Sequence, residues 1–182
     1  HLQDLETSAD AVLARNRPAV ERIFADSVAI KIEHVEQDER EAGVRKALNF
    51  GHTFGHALER VSGWSVPHGE AVARGLIFAT VLSIATGHLP AGTDRRVRRL
   101  LQAYGLPGGV FRGLPEPLVP PPRGRLDLAG LLAATRLDKK ARGGQVEYVL
   151  LCRLGQVIPT WTSPVDDATV RRVLDAQAAI DA

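Results

Sequence analysis

Apolar residues along this chain recur mainly at intervals of three and four, the spacing of one face of an α-helix. Pro18 suits the first turn of a helix in which Val20, Ile23, Phe24, Val28 and Ile32 follow at near-helical spacing. Lys31 lies inside this run, where an unpaired ammonium would be costly to bury. The polar stretch from Glu36 to Gly43 reads as a turn or a frayed end. A second helix is predicted from about Arg45 to Val61, with Gly63 as its C-cap. A third runs from His68 through Val72, Leu76, Phe78, Val81 and Leu82 to Gly87. It is apolar around most of its circumference, so it is expected to be central and buried. Arg74 sits awkwardly in such a helix, and an edge or interface position would accommodate it.

Thr93 or Asp94 can cap a further helix ending at Tyr104-Gly105. Residues 107–125 hold six of the eleven prolines and read as an exposed loop. Asp127 can cap a short helix carrying Leu128, Leu131 and Leu132. Val146 to Leu151 has strand character, and Gly155-Gln156 can turn it into a second strand, Val157 to Trp161. Pro164 and Asp166 start a closing helix with Val170, Val173 and Leu174. The expectation is a mainly α, multihelical domain over residues 1–182, with about seven helices and one small β-hairpin near the C-terminus. No strand–helix alternation and no Gly-rich nucleotide loop is present, so a dinucleotide fold is not encoded here.

Composition narrows the function classes. The chain is 45% hydrophobic and 24% charged, with a net charge of +2, an ordinary balance for a globular domain that gives no argument for nucleic acid. The tightest basic cluster, Arg95-Arg96-Val97-Arg98-Arg99, is expected to be a solvated helix face. One cysteine, Cys152, excludes an internal disulfide and fits a reducing compartment. No signal peptide or membrane span is read, because the longest apolar stretches are broken by Arg, Gly or His. The chain starts at His1 and has no Met, so it is expected to be a piece of a longer protein.

The chemistry concentrates in Asn49-Phe-Gly-His52-Thr-Phe-Gly-His56-Ala-Leu-Glu59 and Pro67-His68-Gly-Glu70. On a helix His52 and His56 share a face, with Glu59 one turn further on. His68 opens the next helix, where the positive end of the helix dipole disfavours imidazolium and keeps the ring available to a metal. Spacing alone suggests imidazoles from two helices converging on a divalent ion. Glu59 and Glu70 are candidate carboxylates to orient the rings, and glycines 51, 55 and 69 permit close backbone approach. Lys31, Arg45, Lys139 and Lys140 would add cations if the helices pack together. A metal beside several cations suits an anionic substrate whose hydroxyls approach the metal.

Lys31, the run from Asp38-Glu39-Arg-Glu41 to Arg45, the Leu48–Glu59 motif and His68-Gly-Glu70-Ala-Val-Ala together resemble the 3-dehydroquinate synthase family. Asp138-Lys139-Lys140 followed by Val146-Glu-Tyr-Val-Leu-Leu is similar to the C-terminal segment of that family. The resemblance covers nearly the whole chain. It implies the helical metal- and substrate-binding C-terminal half of a two-domain enzyme, an α/β domain followed by an α domain. The implied reaction converts 3-deoxy-arabino-heptulosonate 7-phosphate to 3-dehydroquinate and phosphate in the shikimate pathway, by a carbon–oxygen lyase that uses NAD and a divalent metal, zinc or cobalt.

Carried over residue by residue, the resemblance makes His52 and His68 the metal ligands. Lys31 and Arg45 become binders of the substrate carboxylate, and Asn49 and Glu41 contacts to hydroxyls. His56 becomes a phosphate-side histidine able to carry a proton, and Lys140 a phosphate contact. The third metal ligand, a glutamate, and the NAD-binding N-terminal domain are expected upstream of this chain, which alone is expected to be inactive. The family precedent is a cytoplasmic homodimer with no nucleic-acid or membrane partner. Retained Asn49 and His56 favour this enzyme over valiolone-type cyclases, while an amino-dehydroquinate synthase or another sugar phosphate cyclase is the alternative. A non-catalytic metal-binding helical fragment is the rival from a different class.

Overall fold

The computed structural model describes residues 1–114, 127–137 and 146–181. Seven α-helices are found there: α1 (Leu2–Leu13), α2 (Arg17–Gln37), α3 (His52–Val61), α4 (His68–Ala85), α5 (Asp94–Ala103), α6 (Leu128–Leu137) and α7 (Asp167–Asp181). A 3-10 helix spans Val44–Asn49, and four short strands follow α6: β1 (Glu147–Tyr148), β2 (Leu151–Arg153), β3 (Gln156–Val157) and β4 (Ser163–Pro164). The mainly α architecture matches the sequence expectation, and helix α1 adds to it.

Helix α4 is the axis of the fold. Ile77, Phe78 and Leu82 are fully buried along it, each contributing about 1.5–3 kcal/mol by removal from water. The Phe78 ring stacks on Phe54 of α3, with centroids 4.5 Å apart. Helices α3, α5 and α7 and strand β2 all pack against α4. Leu131 and Ala134 of α6 and Val170, Val173 and Leu174 of α7 complete one cluster with it. Asp127 and Asp166 cap α6 and α7 as anticipated, accepting from the backbone N–H of Gly130 and Thr169, each at 2.8 Å.

Three expectations need correction. The predicted helix Arg45–Val61 is broken: the 3-10 turn ends at Asn49, Gly51 takes a left-handed φ of 81°, and α3 starts at His52. The break lets two backbones touch. A β-carbon on Gly51 would lie 2.8 Å from the Gly75 carbonyl carbon, and one on Gly75 would strike the Gly51 carbonyl oxygen. Helix α2 forms where predicted, with Asn16 accepting from the Ala19 N–H at 3.1 Å, yet none of its residues is buried and Lys31 is exposed rather than enclosed.

Arg74 is neither at an edge nor at an interface. It is 2% exposed, and its Nη1 donates to the carbonyls of Gly109, Val110 and Arg112 at 3.4, 3.2 and 2.9 Å. Buried carbonyls that lack a helical partner need a donor, and this guanidinium supplies it. The β region holds the expected hairpin, β2–β3, and adds a second antiparallel pair, β1–β4. The expected first strand splits because the Leu151 N–H turns to Ser83 Oγ on α4, at 3.0 Å. The second is cut short at Val157, two residues before Pro159, which has no N–H to give to a ladder.

The basic cluster on α5 is a tie and not merely a solvated face. Arg96 grips Glu6 of α1 through two hydrogen bonds of 2.6 and 2.7 Å. Arg98 reaches Asp94, the Gly108 carbonyl and Gln177 of α7.

Gly75→Ala is expected to cost about 1–3 kcal/mol through overpacking against Gly51. Gly69→Ala, in open space on the same helix, should stay within about 1 kcal/mol of the parent. Thermal or urea denaturation checks the contrast, and equal effects would mean that the α3–α4 contact does not set stability.

Candidate metal and substrate site

His52 and His68 are the first residues of α3 and α4, so both rings stand at the positive end of a helix dipole. His56 is one turn into α3. The three ring centroids form a triangle with sides of 5.5, 5.7 and 6.0 Å. Two imidazoles bound tetrahedrally to one zinc ion through their near nitrogens have centroids separated by about 5 Å. The triangle therefore has the dimensions of a metal site on each side, and hydrogen bonding must distinguish the rings.

That distinction is visible at Nδ1. His68 Nδ1 lies 3.0 Å from Glu59 Oε1, and Glu59 is only 6% exposed, on the inner face of α3. His52 Nδ1 lies 3.3 Å from the Phe50 carbonyl. With Nδ1–H donating to these acceptors, each ring turns Nε2 outward as a lone-pair donor. Burial holds the His52 pKa below the ordinary histidine value, against the opposing hydrogen bond to the Phe50 carbonyl, and charge on His56 or His68 adds to the depression. Low pKa favours the neutral, metal-competent ring. Ligand atoms of His56, Glu59 and His68 also come within 4.8 Å of one another, a second donor set that shares His68. Imidazole and carboxylate donors of this kind suit a divalent transition metal, so the residues present fit a divalent ion. Of the two carboxylates marked in the sequence, Glu59 reaches a histidine, while the charge of Glu70 is felt by Arg74.

Lys31, Glu41, Arg45, Asn49 and His52 line one cleft of about 380 Å³ beside the histidines, with Ser27, Ile30, Val35 and Leu48 as its remaining wall. Five of the residues singled out in the sequence thus meet in one place, and His56 and His68 adjoin it through His52. Asn49 Nδ2 donates to Glu41 Oε1, and Arg45 Nη1 donates to the Glu39 carbonyl at 2.8 Å. Glu41 has φ of 56°, a strained backbone for a side chain of this kind. Lys139 and Lys140 lie outside the described residues.

Asp38 makes this loop possible, and the sequence reading assigned it no role. At the end of α2 its Oδ1 accepts from the Ala42 N–H at 2.9 Å, and its Oδ2 from Gly43 and Arg45 at 2.7 and 3.1 Å. One carboxylate therefore folds residues 38–45 back on themselves and aims Glu41 and Arg45 into the cleft. Desolvation acts to raise its pKa, but the three backbone donors together with the Arg45 charge prevail and hold it below the usual carboxylate value. An acceptor followed four, five and seven residues later by its donors leaves no familiar sequence signature.

Three comparisons place the chain among known proteins. Residues 1–141 match the family described as 3-dehydroquinate synthase C-terminal. A 3-dehydroquinate synthase from Xylella fastidiosa (strain 9a5c) is 40% identical over 176 residues, which are 93% of this chain and 41% of the relative. One from Acidithiobacillus ferrooxidans (strain ATCC 53993 / BNL-5-31) is 38% identical over 173 residues, 94% of this chain and 43% of the relative. The chain thus spans about two fifths of the length of the curated relatives it matches. Among solved structures, the fold is shared with a 2-epi-5-epi-valiolone synthase from Streptomyces hygroscopicus subsp. jinggangensis 5008 with NAD+ and Zn2+ bound. That pair has a TM-score of 0.75 and 22% identity, over 99% of this chain and 46% of the other. A 2-deoxy-scyllo-inosose synthase complexed with carbaglucose-6-phosphate, NAD+ and Co2+ matches at TM-score 0.66 and 22% identity, over 82% of this chain and 40% of the other.

Glu59→Gln is expected to weaken Zn2+ binding about 10–100-fold, the usual effect of losing a carboxylate behind a ligating histidine. Calorimetric titration measures it, and unchanged affinity would remove Glu59 from the site. For Asp38 the sign follows from its depressed pKa: the loop is held above the ordinary aspartate range and loosens as pH falls through the lower, folded value. Amide exchange should show protection of Ala42, Gly43 and Arg45 declining across that acid window. Asp38→Asn should show the loss already at neutral pH.

Proposed function

The chain belongs to the 3-dehydroquinate synthase C-terminal family, and from that membership we propose that its parent protein converts 3-deoxy-arabino-heptulosonate 7-phosphate to 3-dehydroquinate and phosphate. The observation that carries this reading is the cleft itself, where Lys31 and Arg45 stand beside Asn49, Glu41 and His52. Two cations next to a neutral amide and a metal-competent imidazole suit a substrate with a carboxylate and several hydroxyls. In this reading Arg45 forks the carboxylate, and Lys31 adds a point charge. Asn49 and Glu41, already hydrogen-bonded to each other, order the hydroxyls between them. His56 stands on the phosphate side and moves the proton that accompanies loss of that group. Lys140 is the expected phosphate contact.

His52 and His68 would hold the divalent metal, zinc or cobalt, through Nε2, with Glu59 fixing the ring of His68. When bound, the metal lowers the pKa of the hydroxyl to be oxidised and NAD carries the hydride out and back. A third metal ligand and the NAD-binding domain are assigned to the part of the protein preceding this chain, in line with the greater length of the relatives. The same reading makes the enzyme a cytoplasmic carbon–oxygen lyase of the shikimate pathway that works as a homodimer. No helix among the described residues is long and apolar enough to cross a membrane.

The test uses the full-length protein with NAD and Zn2+ or Co2+, following phosphate release and identifying the product by mass spectrometry. Formation of 3-dehydroquinate is expected, and a metal- and NAD-loaded protein that leaves this substrate untouched would sink the proposal. His56→Ala should retain its metal by elemental analysis while turnover falls about 10²–10⁴-fold, the range for a lost acid–base group. His52→Ala and His68→Ala should lose the metal. Equal metal loss in all three would mean that the histidines have been sorted wrongly.

A further inference from the structure

A second strained residue lies behind the loop that carries Glu41 and Arg45. Trp161 has φ of 65°, a conformation that a bulky side chain keeps only where its surroundings dictate it. Its neighbours do so from both sides. Ahead of it, a tight turn closes as the Trp161 N–H donates to the Ile158 carbonyl at 2.9 Å. Beyond it, Ser163 and Pro164 pair with Tyr148 and Glu147, and Thr162 Oγ1 donates to Glu147 Oε2 at 3.0 Å. The ring so presented reaches Gly43, where a β-carbon would lie 3.4 Å from Trp161 Nε1 and 3.8 Å from Asp38 Oδ2. The Gly43 N–H is itself held by that oxygen at 2.7 Å. Indole and carboxylate thus meet at one residue of the loop.

We propose that Trp161 is a positioning residue for the substrate cleft, bracing residues 38–45 from behind so that Arg45 and Glu41 are set before an anion arrives. The inference rests on the functional reading above for its substrate, and on geometry for its mechanism. Trp161 does not line the cleft. It shares a separate cavity of about 290 Å³ with His34, in the last turn of α2, and Ala47 of the 3-10 helix. Side chains three apart on a 3-10 helix eclipse one another, so Arg45 and Leu48 face the cleft together while Ala47 faces the side of the indole. The loop is therefore clasped from within by the Asp38 carboxylate and from behind by the ring. With the ring removed, residues 38–45 would become ordered only as substrate binds, and ordering at that moment is subtracted from affinity.

Trp161→Ala and Trp161→Leu in the full-length protein, loaded with NAD and Zn2+, test this beside Trp161→Phe. The first two are expected to raise KM for the proposed substrate about ten-fold, the scale of ordering one or two side chains on binding. Turnover at saturation should stay within about two-fold, because the lost interaction acts on binding alone. Metal content should be unchanged. Amide exchange at Ala42, Gly43 and Arg45 should quicken in the free protein and slow again with substrate. Phe, which keeps a flat ring on Gly43, should recover most of the KM. Leu preserves apolar bulk and carries the same test if the Ala protein does not fold. Unaltered KM and exchange in the Ala or Leu protein would overturn the proposal. So would KM and turnover failing together with a lower melting temperature and no recovery by Phe, the mark of a residue needed only for folding. Exchange separates the two readings. An inactive parent whose loop still loosens in Trp161→Leu loses the functional proposal alone, and an active one whose loop does not loosen loses only the role of Trp161.

Discussion

Everything in this fold that bears on chemistry is referred to one contact, the near-touching of backbones where Gly51 and Gly55 of the α3 entry meet Ala71, Gly75 and Leu76 of α4. Side chains normally hold helix axes 8–10 Å apart. Here three glycines remove that spacer at the crossing, so the starts of two helices lie side by side. His52 and His68 occupy those starts. The distance between their rings is thus a property of the helix crossing, and the side-chain rotamers only refine it. The same contact forces the left-handed turn at Gly51 that ends the 3-10 segment, and so fixes where Asn49 and Arg45 fall relative to the histidines.

Around this rigid crossing the anionic and cationic groups divide the work. Buried Glu59 acts on His68, and Asp38 accepts its hydrogen bonds from backbone N–H groups. The Asp38 charge acts on Arg45 without a side-chain hydrogen bond between them. Arg45 and Lys31 keep positive character facing the cavity. Glu41 is the acid that does face them, and its amide partner Asn49 occupies one of its oxygens. A cleft with these two cations and one amide-bonded carboxylate suits an anion.

Much of this was legible in the sequence because it depends on local spacing. The continuous apolar character of residues 71–84 showed α4 to be central, and the His52–His56–His68 pattern showed which helices meet. What was not legible depends on partners distant in the chain. Arg74 read as misplaced because its acceptors lie 35–38 residues away, in a segment without regular structure. The break at Gly51 depends on Gly75. The error at α2 is of another kind. Its periodicity correctly marked an apolar face, but periodicity does not say whether that face is buried. Lys139 and Lys140 lie outside the described residues, so the sequence remains the only ground for them.

Arg74 has a consequence for the far end of the molecule. The carbonyls it satisfies belong to the segment whose Phe111 N–H is held by Asp181 at 2.8 Å, and the charge of Asp181 acts back on Arg74. The last turn of α7 is therefore wired to the middle of the central helix. Terminal residues are usually the most expendable part of a domain. In this protein the closing turn behaves as a keystone, and trimming or fusing the chain at Asp181 would be felt as a core lesion.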